Sequence, residues 1–426
     1  MSIIYNLSIF LYTLSIRIAA LWNIKARKWA EGRKNIFEEI KSKISQGDKI
    51  AWFHCSSLGE FEQARPVMEE FRKRKPEYKI LLTFFSPSGY EVQKNYPGAD
   101  YIFYLPADTA ANAKRFVSTV KPVLAVFSKY DFWFNYLKEL EANNIPVVVF
   151  SAVFRNEQYF FKIYGFWFLN ILSGIDVFFV QDDKSRKLLK RAGIGNAVVS
   201  GDTRYDRVMQ NAAIAKQFPL VEKFRDENKI IMIAGSTWKE DEHILFQLVS
   251  KRKGDMSMRK HEVKLILAPH ETDASRIKKI VSELEDFELS YTLFSQADEQ
   301  NVKNSDVLVI DSIGLLSQLY QYGDVAYLGG GFGKGIHNIL EPAAFSLPVI
   351  FGPEYKKFIE AVEMVNLSMA FSIEKYFNLN SKITDLFFHQ EKIISIRKRI
   401  SEYMQRKTGA TQVVVSGLEK LLSNNN

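Results

Sequence analysis

The stretch GGGFGKGIHNILEP, Gly329 to Pro342, joins a short apolar run, Asp324 to Leu328, to a helical segment through a loop nearly bare of side chains. Glycines at 329, 330, 331, 333 and 335 tolerate positive φ and let backbone N–H groups approach a phosphate, and the helix that follows adds its positive dipole end. Asn338 and Glu341, three apart on that helix, are expected to share a face beside the loop and to hold a nucleotide's hydroxyls or base. An ATPase loop is excluded, because Leu328 stands where a first glycine is required and Gly335 where Ser or Thr should follow Gly333-Lys334. A dinucleotide loop would follow the first strand, not one three-quarters of the way along the chain. A glycine-rich turn that merely closes a strand against a helix accounts for the same residues.

Outward from this loop the chain repeats one grammar. Apolar runs at 50–54, 79–85, 123–127, 146–152 and 176–181 alternate with helical stretches, and the alternation resumes at 229–235, 263–269, 306–311, 324–330 and 348–353. Continuous apolar strands separated by helices imply parallel sheets covered on both faces. The polar stretch from Thr203 to Asn228 lacks a strand and is expected to link the two series. The fold expected is therefore α/β, with two Rossmann-like domains facing a cleft: residues 1–35 an anchor with a basic flank, 36–205 the first domain, 206–426 the second. Ligands in such sheets bind beyond the carboxyl ends of the strands. The Asn424–Asn426 tail is expected to be unstructured.

At 426 residues with 47% hydrophobic content the chain can fill more than one core. Its one cysteine, Cys55, excludes an internal disulfide, suits a reducing compartment and reads as a small buried residue at a strand end. The net charge of +8 is uneven: residues 1–50 hold nine Lys or Arg against four acids. Ahead of most of that charge runs Ile3 to Trp22, with Arg17 its single charge, close to the length of a bilayer span although Asn6, Ser8, Thr13 and Ser15 also lower its hydrophobicity. The basic residues come after the apolar run, opposite to a secretory signal, and place the body of the protein on the cytoplasmic side. An amphipathic first helix packed on the domain fits the same residues. No basic stripe interleaved with aromatics recurs, so no nucleic-acid partner is expected.

Three loops follow strands of the first series. In HCSSLGEFEQARP, 54–66, Ser57 and Gly59 form a turn and Glu60 opens a helix with Phe61, Ala64 and Met68 on its apolar face. The dipole favours negative charge at that end, which suits a base acting on a hydroxyl. A capping box built from Ser56 or Ser57 with Glu60 explains the same spacing. Ser86 and Gly89 in SPSGYE offer a hydroxyl and N–H groups after the next strand. Lys129 and Asp131 in FSKYDFWFN follow a third strand, with Phe132, Trp133 and Phe134 divided between contact and core.

In order, these segments resemble the lipid A Kdo transferases, glycosyltransferases of the GT-B fold that move 3-deoxy-D-manno-octulosonic acid (Kdo) from CMP-Kdo onto a lipid A precursor at the cytoplasmic face of the bacterial inner membrane. The family pattern W-x-H-x-x-S-x-G-E-x-x-x-A-x-P reads here as Trp52, His54, Ser57, Gly59, Glu60, Ala64 and Pro66. Later segments match as Thr83, Ser86-Pro87 and Gly89, Tyr104 to Asp108, Ala234 to Thr237, then Gly329-Gly330, Gly335, His337, Asn338, Glu341, Pro342 and Ala343, and Phe351 to Pro353. The resemblance implies Glu60 as general base, with Asp131 a second catalytic or acceptor-side residue. It implies donor contacts from Ser236, Thr237, His270, Gly330, Gly331, Gly333, Lys334, Gly335, His337, Asn338 and Glu341. Ser57, Gly59, Ser86, Gly89 and Lys129 fall on the acceptor side.

The family's E-T-E-L-W-P-N is replaced by Lys129 to Asn135, and its P-R-H-P by Ala268-Pro269-His270-Glu271, so an arginine that the resemblance implies near the donor phosphate is missing, and His270, Lys334 or another cation is expected in its place. No Asp-x-Asp signature is present, and no metal or cofactor is expected. The partners expected are CMP-Kdo, a lipid A precursor and the membrane. The readings from other classes are a nucleotide-sugar epimerase or phosphorylase of the same fold, and a membrane-attached nucleotide-sugar-binding module.

Overall fold

The two series of apolar runs form two parallel sheets in a computed structural model that describes residues 2–162, 165–253 and 262–424. The first sheet contains β1 (Ile50–Cys55), β2 (Lys79–Phe84), β3 (Tyr101–Tyr104), β4 (Leu124–Ser128), β5 (Val147–Ala152), β6 (Val177–Val180) and β7 (Ala197–Val199), in the order β3-β2-β1-β4-β5-β6-β7. The second contains β8 (Ile230–Thr237), β9 (Val263–Pro269), β10 (Tyr291–Leu293), β11 (Val307–Val309), β12 (Val325–Leu328), β13 (Val349–Phe351) and β14 (Ala370–Ser372), in the order β10-β11-β9-β8-β12-β13-β14.

The apolar runs are unbroken because both faces are covered. In β1 all six residues are buried; Ile50 and Trp52 enter one core, while Ala51, Phe53 and Cys55 enter the other, as a period of two requires. Burial also pushes the Cys55 thiol well above its usual range. In both sheets the order reverses next to the first strand, between β1 and β4 and again between β8 and β12, and the loops leaving those strands border the crevice where such sheets bind ligands.

The chain divides into two compact units, one of residues up to Arg207 together with those from Lys407, the other Val208–Arg406. The break falls inside the strandless stretch, between residues of the helix Thr203–Ala213. The expected 206–426 domain needs correction at its end, because the helix Ala410–Asn424 packs on the first unit. Its stripe of Val414, Val415, Leu418 and Leu422 completes the core beneath the helix Leu58–Arg74. Asp206 accepts hydrogen bonds from the N–H groups of Gly409 and Thr411 and fixes where that helix begins. Asn424 closes the helix and so is not part of a tail; Asn425 and Asn426 lie outside the described residues.

The N-terminal residues form α1 (Ser2–Ala19), α2 (Ile24–Glu31) and α3 (Ile36–Lys43). α1 lays one side on the first unit: the Tyr5 hydroxyl donates to Asp108 at 2.6 Å and its ring meets Phe134, while Tyr12 packs against Trp29 and Phe85. Its other side leaves Ile3, Leu7, Phe10, Leu11, Leu14 and Ile18 exposed. Among the described residues no single helix is long and apolar enough to cross a membrane, although α1 and α2, bent by 119°, meet the length and composition together.

Candidate active site

In the first unit, Glu60 lies in the first turn of α4 (Leu58–Arg74), directly after β1. The Ser57 hydroxyl donates to one of its carboxylate oxygens, and the Lys129 ammonium stands 3.6 Å from the other. The capping reading fails in its details: Ser57 occupies the cap position, but its side chain goes to the Glu60 carboxylate and caps no backbone N–H. Lys129 follows β4, with φ of 62°, a left-handed conformation that costs an L-residue about 1–2 kcal/mol. Its N–H is tied to the Phe150 carbonyl at 2.8 Å, which holds the turn against that cost. Asp131 accepts from the Ser56 N–H at 3.0 Å, so the loops after β1 and β4 are joined. Burial, with the Glu60 charge adding to it against the Ser56 hydrogen bond, raises the Asp131 carboxyl to about 6.

Ser86 belongs to the same neighbourhood, its N–H donating to the Ser56 carbonyl at 2.7 Å, but its hydroxyl caps the helix Pro87–Gln93. Gly89 is required for packing: a Cβ there would lie 2.3 Å from the Phe84 ring. Gly59 is exposed, with ordinary room around it, and leaves space beside Glu60.

A buried chain of side chains that the sequence reading did not connect supports this corner. Trp133 Nε1 donates to His54 Nε2 at 2.9 Å, so that nitrogen carries no proton. The proton is then on Nδ1, which donates to Thr83 Oγ1 at 2.9 Å, and the same oxygen accepts from Trp52 Nε1 at 2.8 Å. Burial lowers the His54 pKa to about 3 and keeps the ring neutral. His54 is thus a strut for the Asp131–Trp133 turn. The clue in the sequence was a polar residue inside an otherwise apolar strand.

In the second unit the loops after β8 and β12 touch backbone to backbone. A Cβ at Gly329 would lie 2.2 Å from the Ser236 carbonyl oxygen, and one at Gly331 would lie 2.5 Å from the Gly352 nitrogen. Positive φ is used at Gly330 and Gly335, and also at Ser236, where β8 bulges against β9. Asp241, fully buried, accepts from the N–H groups of Trp238 and Gly330 and from the Tyr327 hydroxyl at 2.9–3.0 Å. It fixes the crossing of the two loops, and its signal was its place three residues into a helix. Thr237 donates to Glu242, which pairs with Arg276, and accepts from the His270 N–H through its carbonyl.

The anion site expected on this loop is narrower than the glycine count implied. The Gly330 N–H is spent on Asp241, and those of Gly333 and Gly335 on the Gly330 carbonyl. Among the described residues the N–H groups of Phe332 and Lys334 have no protein acceptor, and the Lys334 side chain is exposed beside them. The helix begins only at Leu340 and has five residues, so Asn338 precedes it, contrary to the reading of one shared helical face. Its Oδ1 accepts from the Leu340 N–H at 3.2 Å and its Nδ2 donates to Glu341 at 3.1 Å, which joins the two expected nucleotide contacts to each other. Across the loop Trp238, His270 and His337 form a row of rings with centroids 4.6 and 4.7 Å apart, and burial, then the neighbouring His270, lowers the His337 pKa.

Residues 28–207 match the family described as 3-deoxy-D-manno-octulosonic-acid transferase (kdotransferase). The 3-deoxy-D-manno-octulosonic acid transferase of Chlamydophila psittaci is 26% identical over 359 residues, covering 82% of this chain and 80% of that protein. The Haemophilus influenzae enzyme of the same name is 27% identical over 320 residues, covering 74% and 73%. Among solved structures, UDP-GlcNAc 2-epimerase from Neisseria meningitidis aligns with a TM-score of 0.60 at 15% identity, over 87% of this chain and all of that one. CalG4, the calicheamicin glycosyltransferase, aligns at 0.54 and 11% identity, over 89% and 99%. At such identities the structures share the fold alone, which is GT-B. The chain is therefore a glycosyltransferase, similar over most of its length to the 3-deoxy-D-manno-octulosonic acid transferases and matching their family description over residues 28–207.

Proposed function

We propose that the protein transfers Kdo from CMP-Kdo to a lipid A precursor (lipid IVA) in lipopolysaccharide biosynthesis, with inversion at the anomeric carbon and Glu60 as general base. One observation carries the reading: a carboxylate at a helix start, at the point where the strand order reverses, held by the Ser57 hydroxyl and the Lys129 ammonium. The acceptor hydroxyl gives its proton to Glu60 as its oxygen bonds to the anomeric carbon, and the bond to the CMP phosphate breaks on the opposite side. Lys129 and Ser57 orient the carboxylate, and Asp131 and His54 fix the loops that bear it. In the second unit the Phe332 and Lys334 N–H groups, with the Lys334 ammonium, suit the leaving phosphate. The ring row of Trp238, His270 and His337 suits the base, and Asn338 with Glu341 the ribose.

The place of action we propose is the cytoplasmic face of the inner membrane. The exposed apolar side of α1, flanked by Arg17, Lys25, Arg27 and Lys28, supports a helix lying in the interface more than one crossing it. Mass spectrometry of a lipid A precursor incubated with the protein and CMP-Kdo tests the function. A gain of one or more Kdo units is expected, and no gain with folded protein would return the epimerase and binding-module readings.

A further inference from the structure

Between α1, the α2–α3 connection and the loop after β3 lies a cavity of about 600 Å³ that plays no part in the chemistry proposed above. Arg33 forms part of its wall. Three of the five guanidinium N–H groups donate to carbonyls, those of Leu105, Trp29 and Phe85, at 2.8–3.0 Å. The guanidinium lies 3.9 Å from the Trp29 ring centroid and about 5 Å from those of Tyr104 and Phe85. Among the described residues no carboxylate pairs with it, and desolvation lowers its pKa to about 9. A half-buried cation with two N–H groups to spare and no counter-charge calls for an anion.

Other residues of the lining point the same way. The Trp29 indole N–H is buried and has no hydrogen-bond partner among the described residues. Among the described residues no acid pairs with Arg17 or Lys34, whereas Arg115 is already paired with Glu38, the one acid in the lining. Phe10, Leu14, Ile36 and Phe37 supply apolar wall. Phe10 and Leu14 also belong to the exposed side of α1, so a molecule lying against that side meets the apolar wall of the cavity directly.

We infer that this cavity holds the phosphate and the first part of an acyl chain of an anionic membrane lipid, the phosphate at Arg33 and the Trp29 N–H, the chain along Phe10 and Leu14. A free phosphate would leave the apolar wall unused, and a neutral headgroup would leave Arg33 without its counter-charge. The inference does not depend on the transfer reaction, because it is tested by binding without a sugar donor.

The test titrates the full chain with dihexanoyl phosphatidic acid, dihexanoyl phosphatidylcholine, both below their micelle concentrations, and inorganic phosphate, following tryptophan fluorescence and heat. Phosphatidic acid is expected to bind at least about tenfold more tightly than either of the others. Trp29→Phe should remove most of the fluorescence change. Arg33→Leu should abolish binding; because it also loses three structural hydrogen bonds, the exposed double variant Arg17→Glu, Lys34→Glu is measured beside it, and is expected to lose about tenfold in affinity with an unchanged melting curve. Equal binding of the two lipids would show unselective adsorption and overturn the inference. Phosphate binding as tightly as the lipid, or unaltered affinity in the double variant, would overturn it as well.

Discussion

Replacing Asp131 by Asn should stabilise the first unit at neutral pH. The carboxyl is raised from 3.8 to about 6, mainly by desolvation, and each unit of pKa corresponds to about 1.4 kcal/mol. The sign follows from the protonation states. Above pH 6 the folded protein carries a charge it disfavours; as pH falls through 6 the folded carboxyl protonates before the unfolded one, and the cost disappears. The full cost at pH 8 is about 3 kcal/mol, reduced towards 1 by solvent reaching a carboxylate that is only half-buried. Asn keeps an oxygen to accept the Ser56 N–H, so the joined loops survive the change. Five of the six tryptophans, Trp22, Trp29, Trp52, Trp133 and Trp167, lie in the first unit, so a fluorescence melt reports mainly on it. The expected rise at pH 8 is roughly 2–10 °C, falling to nothing near pH 4. An unchanged or lower melting temperature at pH 8, or a gain that persists at pH 4, would refute the reasoning.

Thr83→Val should leave the Trp52 and His54 donors buried and unsatisfied and cost about 2–4 kcal/mol in urea unfolding, with Thr83→Ser retaining most of the stability. Gly329→Ala places a Cβ 2.2 Å from a backbone oxygen and should destabilise the second unit by about 1–3 kcal/mol in calorimetry. Gly333→Ala, whose nearest neighbour would be 3.9 Å away, should change stability by less than about 0.5 kcal/mol.

The ten strands read from the sequence are the interior strands of the two sheets, each closed on both faces and therefore mostly apolar. The four that went unread, β3, β7, β10 and β14, are the four edges. They are three or four residues long; β3, β10 and β14 mix buried with half-exposed or exposed positions and β7 has no buried one, so no long buried apolar run marks them. Glu60, Lys129 and Asp131 were legible as polar residues leaving buried strands. That they meet was not, because it depends on β1 lying beside β4, which starts 74 residues later (Ile50 and Leu124), a matter of sheet order and not of local pattern. Asn338 was misplaced because its side chain makes an Asx-type bond to Leu340, which delays the helix by two residues. The return of Ala410–Asn424 to the first unit rests on the fit of its valines and leucines to a surface assembled from distant segments.

The most direct test of the central claim compares the transfer rates of wild type and Glu60→Gln with saturating CMP-Kdo and lipid A precursor. Gln can still accept from Ser57 but cannot take a proton. If Glu60 is the base, kcat falls by about 10²–10⁴ while the KM for each substrate stays within a few-fold of wild type. A variant retaining a tenth or more of the wild-type rate would contradict the assignment.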